Sequence, residues 1–142
     1  MIYVGIEAVS LMCNGGCREL NQKWAERGRP WGFNWKILEI ISKRISKLKP
    51  QLGDLIMFDC GERGTVTATF VERPADSDWV PNNFILNHET GEIRSLNCVI
   101  YDEVQWLPLP VSGAITDAEL LEMNGHGLNR LIRENVKRVP LR

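Results

Sequence analysis

The sequence predicts a small α+β protein in which flanking helices pack beside a strongly curved antiparallel sheet that closes into a barrel. Two observations favour this fold class. Apolar residues recur with the helical period over residues 36–47, and from Gly53 onward they form short runs separated by Gly, Pro and Asn turns. A length of 142 residues suits one domain, residues 1–142, with a core of its own.

The predicted helices lie near both ends of the chain. Residues 17–27 are compatible with a helix that ends at Gly28. The next segment, residues 29–35, contains Pro and Gly and is predicted to be a loop. Residues 36–47 form an amphipathic helix ended by Pro50, and its apolar stripe is Ile37, Ile40, Ile41, Ile45 and Leu48. Residues 116–122 begin with a capping box, and residues 128–136 are predicted to be a helix or turn.

The predicted strands occupy most of the remaining sequence. Residues 2–6 form a first strand, and two further strands flank the turn at residues 61–64. A hairpin is expected around Thr90-Gly91. The full set of predicted strands is 2–6, 54–60, 65–72, 84–87, 93–96, 99–101, 104–108 and a closing strand at 139–140. Strands this close in sequence favour antiparallel pairing and a small barrel.

Charge is unevenly distributed along the chain, although the net charge is only −1. Residues 18–50 carry nine Lys/Arg and three acids, a net charge of +6. Residues 51–122 carry three Arg and thirteen acids, a net charge of −10, and residues 123–142 carry five Lys/Arg and one acid, a net charge of +4. The two basic segments are expected either to form a basic face or to pair with the acidic middle and cancel.

Sequence motifs favour a binding module over an enzyme. His88 and His126 are isolated, and the sequence contains no nucleophile elbow, zinc-protease, P-loop or dinucleotide motif. Cys13 and Cys17 form a single C-x3-C pair, short of the four ligands of a structural zinc site. No apolar run approaches the roughly 20 residues of a membrane helix, and the first residues lack a signal peptide, so a cytoplasmic protein without cofactor is expected.

The order of these features resembles the EVE domain, a member of the PUA-like β-barrel family. The resemblance covers residues 1–110 and depends on short motifs: a first strand, a Trp-Gly-Phe-Asn segment, a helix that ends before Gly-Asp and an apolar strand, a β-branched strand and a later Trp. In this sequence they are Ile2–Val4, Trp31–Asn34, Leu48–Phe58, Gly64–Val71 and Trp79.

The resemblance implies a non-catalytic module that recognises DNA or RNA and holds a flipped or modified base in an aromatic pocket. Bases stack on aromatic side chains, and Lys and Arg contact phosphates. The expected site residues are Trp31, Phe33, Asn34, Trp35, Lys36, Arg44, Lys47, Trp79, Arg130 and Arg133. Tryptophans are also common core residues, and the lysines are typical of the solvated face of an amphipathic helix.

Two other classes of function stay open at this point. One is a protein–protein interaction or inhibitor module, such as a phage-encoded antagonist, that works through its acidic middle segment by imitating nucleic acid. The other is capture of a small ligand in the same aromatic pocket.

Overall fold

The computed structural model describes residues 1–7, 33–75, 83–104 and 132–141, with the backbone alone for residues 33–36. These residues form one six-stranded mixed sheet in the order β5-β4-β3-β2-β1-β6. The strands are β1 (Ile2–Gly5), β2 (Leu55–Asp59), β3 (Thr65–Val71), β4 (Phe84–Asn87), β5 (Ile93–Ser95) and β6 (Val136–Arg138). β1 and β2 are parallel, and all other neighbours are antiparallel.

The expected PUA-like barrel is wrong, because the sheet is open. Its outer strands are β5 and β6, which do not pair with each other. The parallel pairing of β1 with β2 is a second departure from the predicted antiparallel sheet, and parallel neighbours need a crossover connection that passes over one face of the sheet. The helix α1 (Phe33–Lys47) lies in that connection. The sequence prediction had assumed that all the strands were antiparallel.

The core lies between one face of the sheet and two helices, α1 and α2 (Leu96–Val104). Alternate strand residues supply the sheet side, for example Ile56 and Phe58 of β2, both fully buried. The helices contribute stripes at helical spacing to the same cluster: Ile37, Ile41 and Ile45 from α1, and Leu96, Ile100 and Val104 from α2.

The α2 helix contradicts the predicted strands over 99–101 and at the start of 104–108. Leu96, Ile100 and Val104 are buried at intervals of four residues, which is a helical spacing hidden inside a short apolar run. The first turn of α1 also begins earlier than predicted, at Phe33 within the expected loop. The last strand is β6 at residues 136–138 instead of 139–140.

Other predictions are confirmed. β1 to β5 lie where strands were expected, with shorter ends in some cases. Gly91, at φ 73°, turns the β4–β5 hairpin, and its N–H donates to the Asn87 carbonyl at 2.8 Å. The predicted helices at 17–27 and 116–122 lie outside the described residues. Within the described ranges, no helix is both long enough and apolar enough to cross a lipid bilayer.

Candidate nucleic-acid interface

The end of α1 is joined to β6 by Arg138. Its guanidinium donates to the carbonyl oxygen of Leu48 at 2.8 Å and to that of Lys49 at 3.3 Å, in the turn where the helix carbonyls lose their internal partners. It also pairs with a carboxylate oxygen of Asp54 at 3.2 Å. A hydrogen bond from the Gln51 N–H and the nearby guanidinium hold the pKa of Asp54 below its ordinary value. Asp54 therefore remains an ionised anchor for Arg138.

This junction brings two basic segments of the sequence together at one end of the sheet. We call this surface the basic end, and it comprises Lys43, Arg44, Lys47, Lys49, Lys137 and Arg138. Lys43 pairs with Glu39 at 3.2 Å, and Arg138 pairs with Asp54. Counted over the described residues alone, six cations and the two carboxylates paired with them leave a net charge of +4. The described residues place no carboxylate within ion-pair distance of the other four cations.

Lys137 extends the basic end to the face of the sheet that is turned away from the helices. It lies opposite Tyr3 in the β1–β6 register, and its ammonium is 5.8 Å from the centre of the Tyr3 ring. A cation at this distance is attracted to the ring, which is compatible with continued exposure to water. In the described part of the chain, the basic end therefore extends from the last turns of α1 around β6 to the other face of the sheet.

Acidic residues concentrate at the opposite edge of the sheet, around β5 and α2. Asp102 pairs with Arg94 at 2.6 Å, and Glu89 and Glu92 lie exposed in the β4–β5 turn. Five inter-strand gaps separate β5 from β6, a distance of roughly 24 Å at about 4.8 Å per gap. Acidic and basic segments therefore pair at some positions, such as Asp54 with Arg138, while the described residues of the basic end sum to a net positive charge.

A cavity of about 160 Å³ lies between strands β3 to β5 and α2. Val66, Ile85 and Val99 line its apolar part, and Asn87, Glu92 and Asp102 are among its polar lining residues. Its volume is about half the lower limit of roughly 300 Å³ that is usual for small-molecule sites. This cavity is therefore small for a ligand site, and it contains none of the aromatic residues of the small-ligand alternative, of which Trp31 and Trp79 lie outside the described residues.

The structure brings together only part of the predicted site. Arg44 and Lys47 lie in the basic end, whereas the first turn of α1 contains Phe33, Asn34, Trp35 and Lys36. Eleven residues separate Lys36 from Lys47, which is about 17 Å at 1.5 Å per residue. Phe33 and Trp35 therefore lie at the opposite end of this helix from Arg44 and Lys47.

The other predicted site residues fall elsewhere. Arg133 is exposed in the helical residues 132–135, before β6. The register pairs Val136 with Val4 and Arg138 with Ile2, so Arg133 lies toward the end of β1 away from the basic end. Trp31, Trp79 and Arg130 lie outside the described residues. The structure adds Lys137 and Arg138 to the candidate site: Arg138 contacts the end of α1, and Lys137 lies on the other face of the sheet.

A hydrogen-bonded cluster of Cys60, Arg63 and Glu103 lies just after the end of β2. The Cys60 thiol is 2% exposed and donates to a Glu103 carboxylate oxygen at 3.0 Å, which also accepts from Arg63 at 3.0 Å. Burial, and then the hydrogen bond to Glu103, raise the pKa of Cys60 to about 12. A thiol with this pKa stays protonated near neutral pH and is a poor nucleophile.

Groups suited to metal binding or acid–base chemistry are few in the part of the chain that the structure describes. No three or more His, Cys, Asp or Glu side chains there cluster in a way that could hold a metal ion. His88 contacts the hydroxyl of Thr69 at 2.6 Å at an exposed position. The hydroxyl of Tyr3 donates to Asp59 at 2.8 Å, and burial followed by this carboxylate raises the pKa of Tyr3.

Comparisons with known proteins add no relative. No family model matches the chain, and no similarity was found to a curated protein or to a solved structure. The resemblance to the EVE domain therefore stays a prediction from short motifs, and the barrel that it implied is corrected by the open sheet.

Proposed function

We propose that this protein is a nucleic-acid-binding module that contacts phosphates through the basic end. The observation that carries the proposal is the joining of α1 to β6 by Arg138, which gathers six cations from two distant parts of the sequence. The proposal depends on this charge distribution and not on the family resemblance. The aromatic base pocket stays a prediction, because Trp31 and Trp79 lie outside the described residues.

The physical basis is the release of counterions from the nucleic acid. Each phosphate neutralised by Lys or Arg releases condensed cations, so affinity falls as salt rises. Phosphate contacts of this kind position a protein without reading sequence. The basic end presents several exposed lysines, a surface suited to phosphates rather than to enclosing a base.

In the alternative function, a protein–protein interaction module, the other edge of the sheet would be the surface that binds the partner. Glu89 and Glu92 are exposed there beside Asp102, at a distance from the basic end. A partner with a basic surface would bind this edge, and nucleic acid would not.

The test is the salt dependence of oligonucleotide binding, measured by fluorescence anisotropy with labelled single strands and duplexes of 20 nucleotides. We expect binding at low salt that weakens as salt rises. The Lys47→Gln/Lys49→Gln double variant should reduce the slope of log K against log salt by about 1.4 for single strands and about 1.8 for duplexes. The matched control is Arg63→Gln/Arg94→Gln, which also removes two positive charges but lies outside the basic end.

Three results would decide against the proposal. The first is no binding of DNA or RNA at low salt, and the second is an equal loss of slope in the control variant. The third is a single protein partner bound in stoichiometric amount through the acidic edge, together with indifference to oligonucleotides. That third result would support the interaction module.

A further inference from the structure

Tyr3 lies on the face of the sheet that is turned away from the helices. Its neighbours Ile2 and Val4 are fully buried in the core, and the alternation of side chains along a strand directs Tyr3 to the other face. Tyr3 is partly exposed there, and the β1–β6 register places Lys137 beside it. The basic end therefore continues directly to an aromatic side chain.

The Tyr3 ring is held in place at both of its ends. A Cβ added at Gly5 would lie 3.2 Å from Cε1 of Tyr3, so the ring covers the position where any other residue would carry its side chain. The Tyr3 hydroxyl donates to Asp59 at 2.8 Å, and Asp59 is the partner of Gly5 in the β1–β2 register. Glycine at position 5 therefore allows the ring to extend along β1, close over its backbone.

A cation already lies beside this ring. The Lys137 ammonium is 5.8 Å from the ring centre, and the Lys137 side chain is exposed. Its long, flexible stem can turn the ammonium from the ring toward a phosphate. Proteins that bind single strands use this combination, because a base stacks on the aromatic ring while a neighbouring cation contacts the backbone.

Resting on the proposed function, we propose that one base of a single-stranded nucleic acid stacks on Tyr3 while the adjoining phosphates lie along β6, from Lys137 to the basic end. The charges beside Tyr3 set this direction. Asp59 belongs to β2 and Lys137 to β6, on opposite sides of β1, so phosphates are repelled on one side and attracted on the other. The bases of a duplex are stacked on one another, so Tyr3 contributes to the binding of single strands only.

The test compares a strand of eight thymidines with a strand of eight abasic spacers at low salt, by fluorescence anisotropy. Both strands carry the same phosphates, so the ratio of their affinities reports the contribution of the bases. Tyr3→Leu should lower this ratio by at least about fivefold, the lower end of what one stacked base contributes. Tyr3→Phe keeps the ring and should retain the ratio within about twofold. Lys137→Gln should weaken both strands alike.

The matched control is Tyr101→Leu, the same substitution in α2, on the other side of the sheet. It should leave the ratio within about twofold of the wild-type value. A second measurement uses the wild type alone, so it remains decisive if Tyr3→Leu does not fold. The protein is irradiated with a strand of eight bromodeoxyuridines, and the crosslinked residues are identified by mass spectrometry; we expect a crosslink at Tyr3.

The outcomes separate this proposal from the one on which it rests. If neither strand binds, the proposed function itself fails. If both strands bind and Tyr3→Leu changes the ratio by less than twofold, stacking on Tyr3 is excluded, while phosphate binding at the basic end stands. An equal loss in Tyr101→Leu, or crosslinks confined to residues other than Tyr3, also overturns the proposal.

Discussion

The raised pKa of Cys60 predicts a loss of stability in mild alkali. The thiol has an ordinary pKa of 9.0 in the unfolded chain and a pKa of about 12 in the folded protein. Between these values the unfolded chain releases a proton that the folded protein retains, so unfolding becomes more favourable as pH rises. The contribution of Cys60 is therefore fully present below pH 9 and is lost progressively toward pH 12.

The size of the effect follows from the two pKa values. From pH 8 to pH 10 the free energy of unfolding should fall by about 1.4 kcal/mol through this thiol alone. Other groups also titrate in this range, so the reference is the Cys60→Ala variant, in which they are the same. The advantage in stability of the wild type over Cys60→Ala should shrink by this amount between the two pH values.

The assay is urea denaturation followed by circular dichroism at both pH values, with a reducing agent present. A difference between wild type and Cys60→Ala that is constant from pH 8 to pH 10 would refute the buried, protonated thiol. Glu103→Gln is a useful second variant, because it removes the carboxylate and keeps the burial. It should retain most of the pH dependence, since burial is the largest cause of the shift.

Two further predictions compare matched positions. Gly61 and Gly91 both have positive φ, but a Cβ at Gly61 would lie 2.3 Å from Cγ of Glu7, whereas a Cβ at Gly91 would meet nothing within 4 Å. In urea denaturation both alanine variants should lose about 1 kcal/mol of stability, because alanine is strained at a positive φ. Gly61→Ala should lose at least about 1 kcal/mol more, because its Cβ would clash with Glu7. Equal losses would contradict the close approach of Glu7. Ile41 is fully buried, and Ile41→Ala should lower the melting temperature by an amount that corresponds to about 2–5 kcal/mol. Leu52 is 63% exposed, and Leu52→Ala should change stability by less than about 0.5 kcal/mol. Similar effects of the two substitutions would mean that α1 does not pack on the sheet.

Local structure was predictable from the sequence wherever the apolar residues recurred with a single clear spacing, that of a helix or that of a strand. The alternation in β3 and the turn glycine Gly91 placed a strand and a hairpin correctly. The failure at α2 has a physical cause, because a run such as Val99-Ile100-Tyr101 fits a strand or a buried helix equally well. What decided it was tertiary packing of Leu96, Ile100 and Val104 against the core.

The arrangement of the strands was not predictable in the same way. β1 and β2 are separated by about fifty residues, and nothing in either strand shows that they are parallel neighbours. The same holds for the candidate site. Lys47 was expected in it from charge alone, but the role of Arg138 depends on a β6 register that places it beside the last turn of α1.

The position of β1 also has a consequence for the order in which this sheet can form. One edge of β1 pairs with β2, and the other pairs with β6, more than 130 residues later in the chain. During synthesis β1 cannot pair with β6 until residues 136–138 emerge from the ribosome. The antiparallel strands β2 to β5 can already pair with one another before that point. Pairings of such long sequence separation are slow to form, so we expect completion of the sheet at β6, and with it assembly of the basic end, to be a late event in folding.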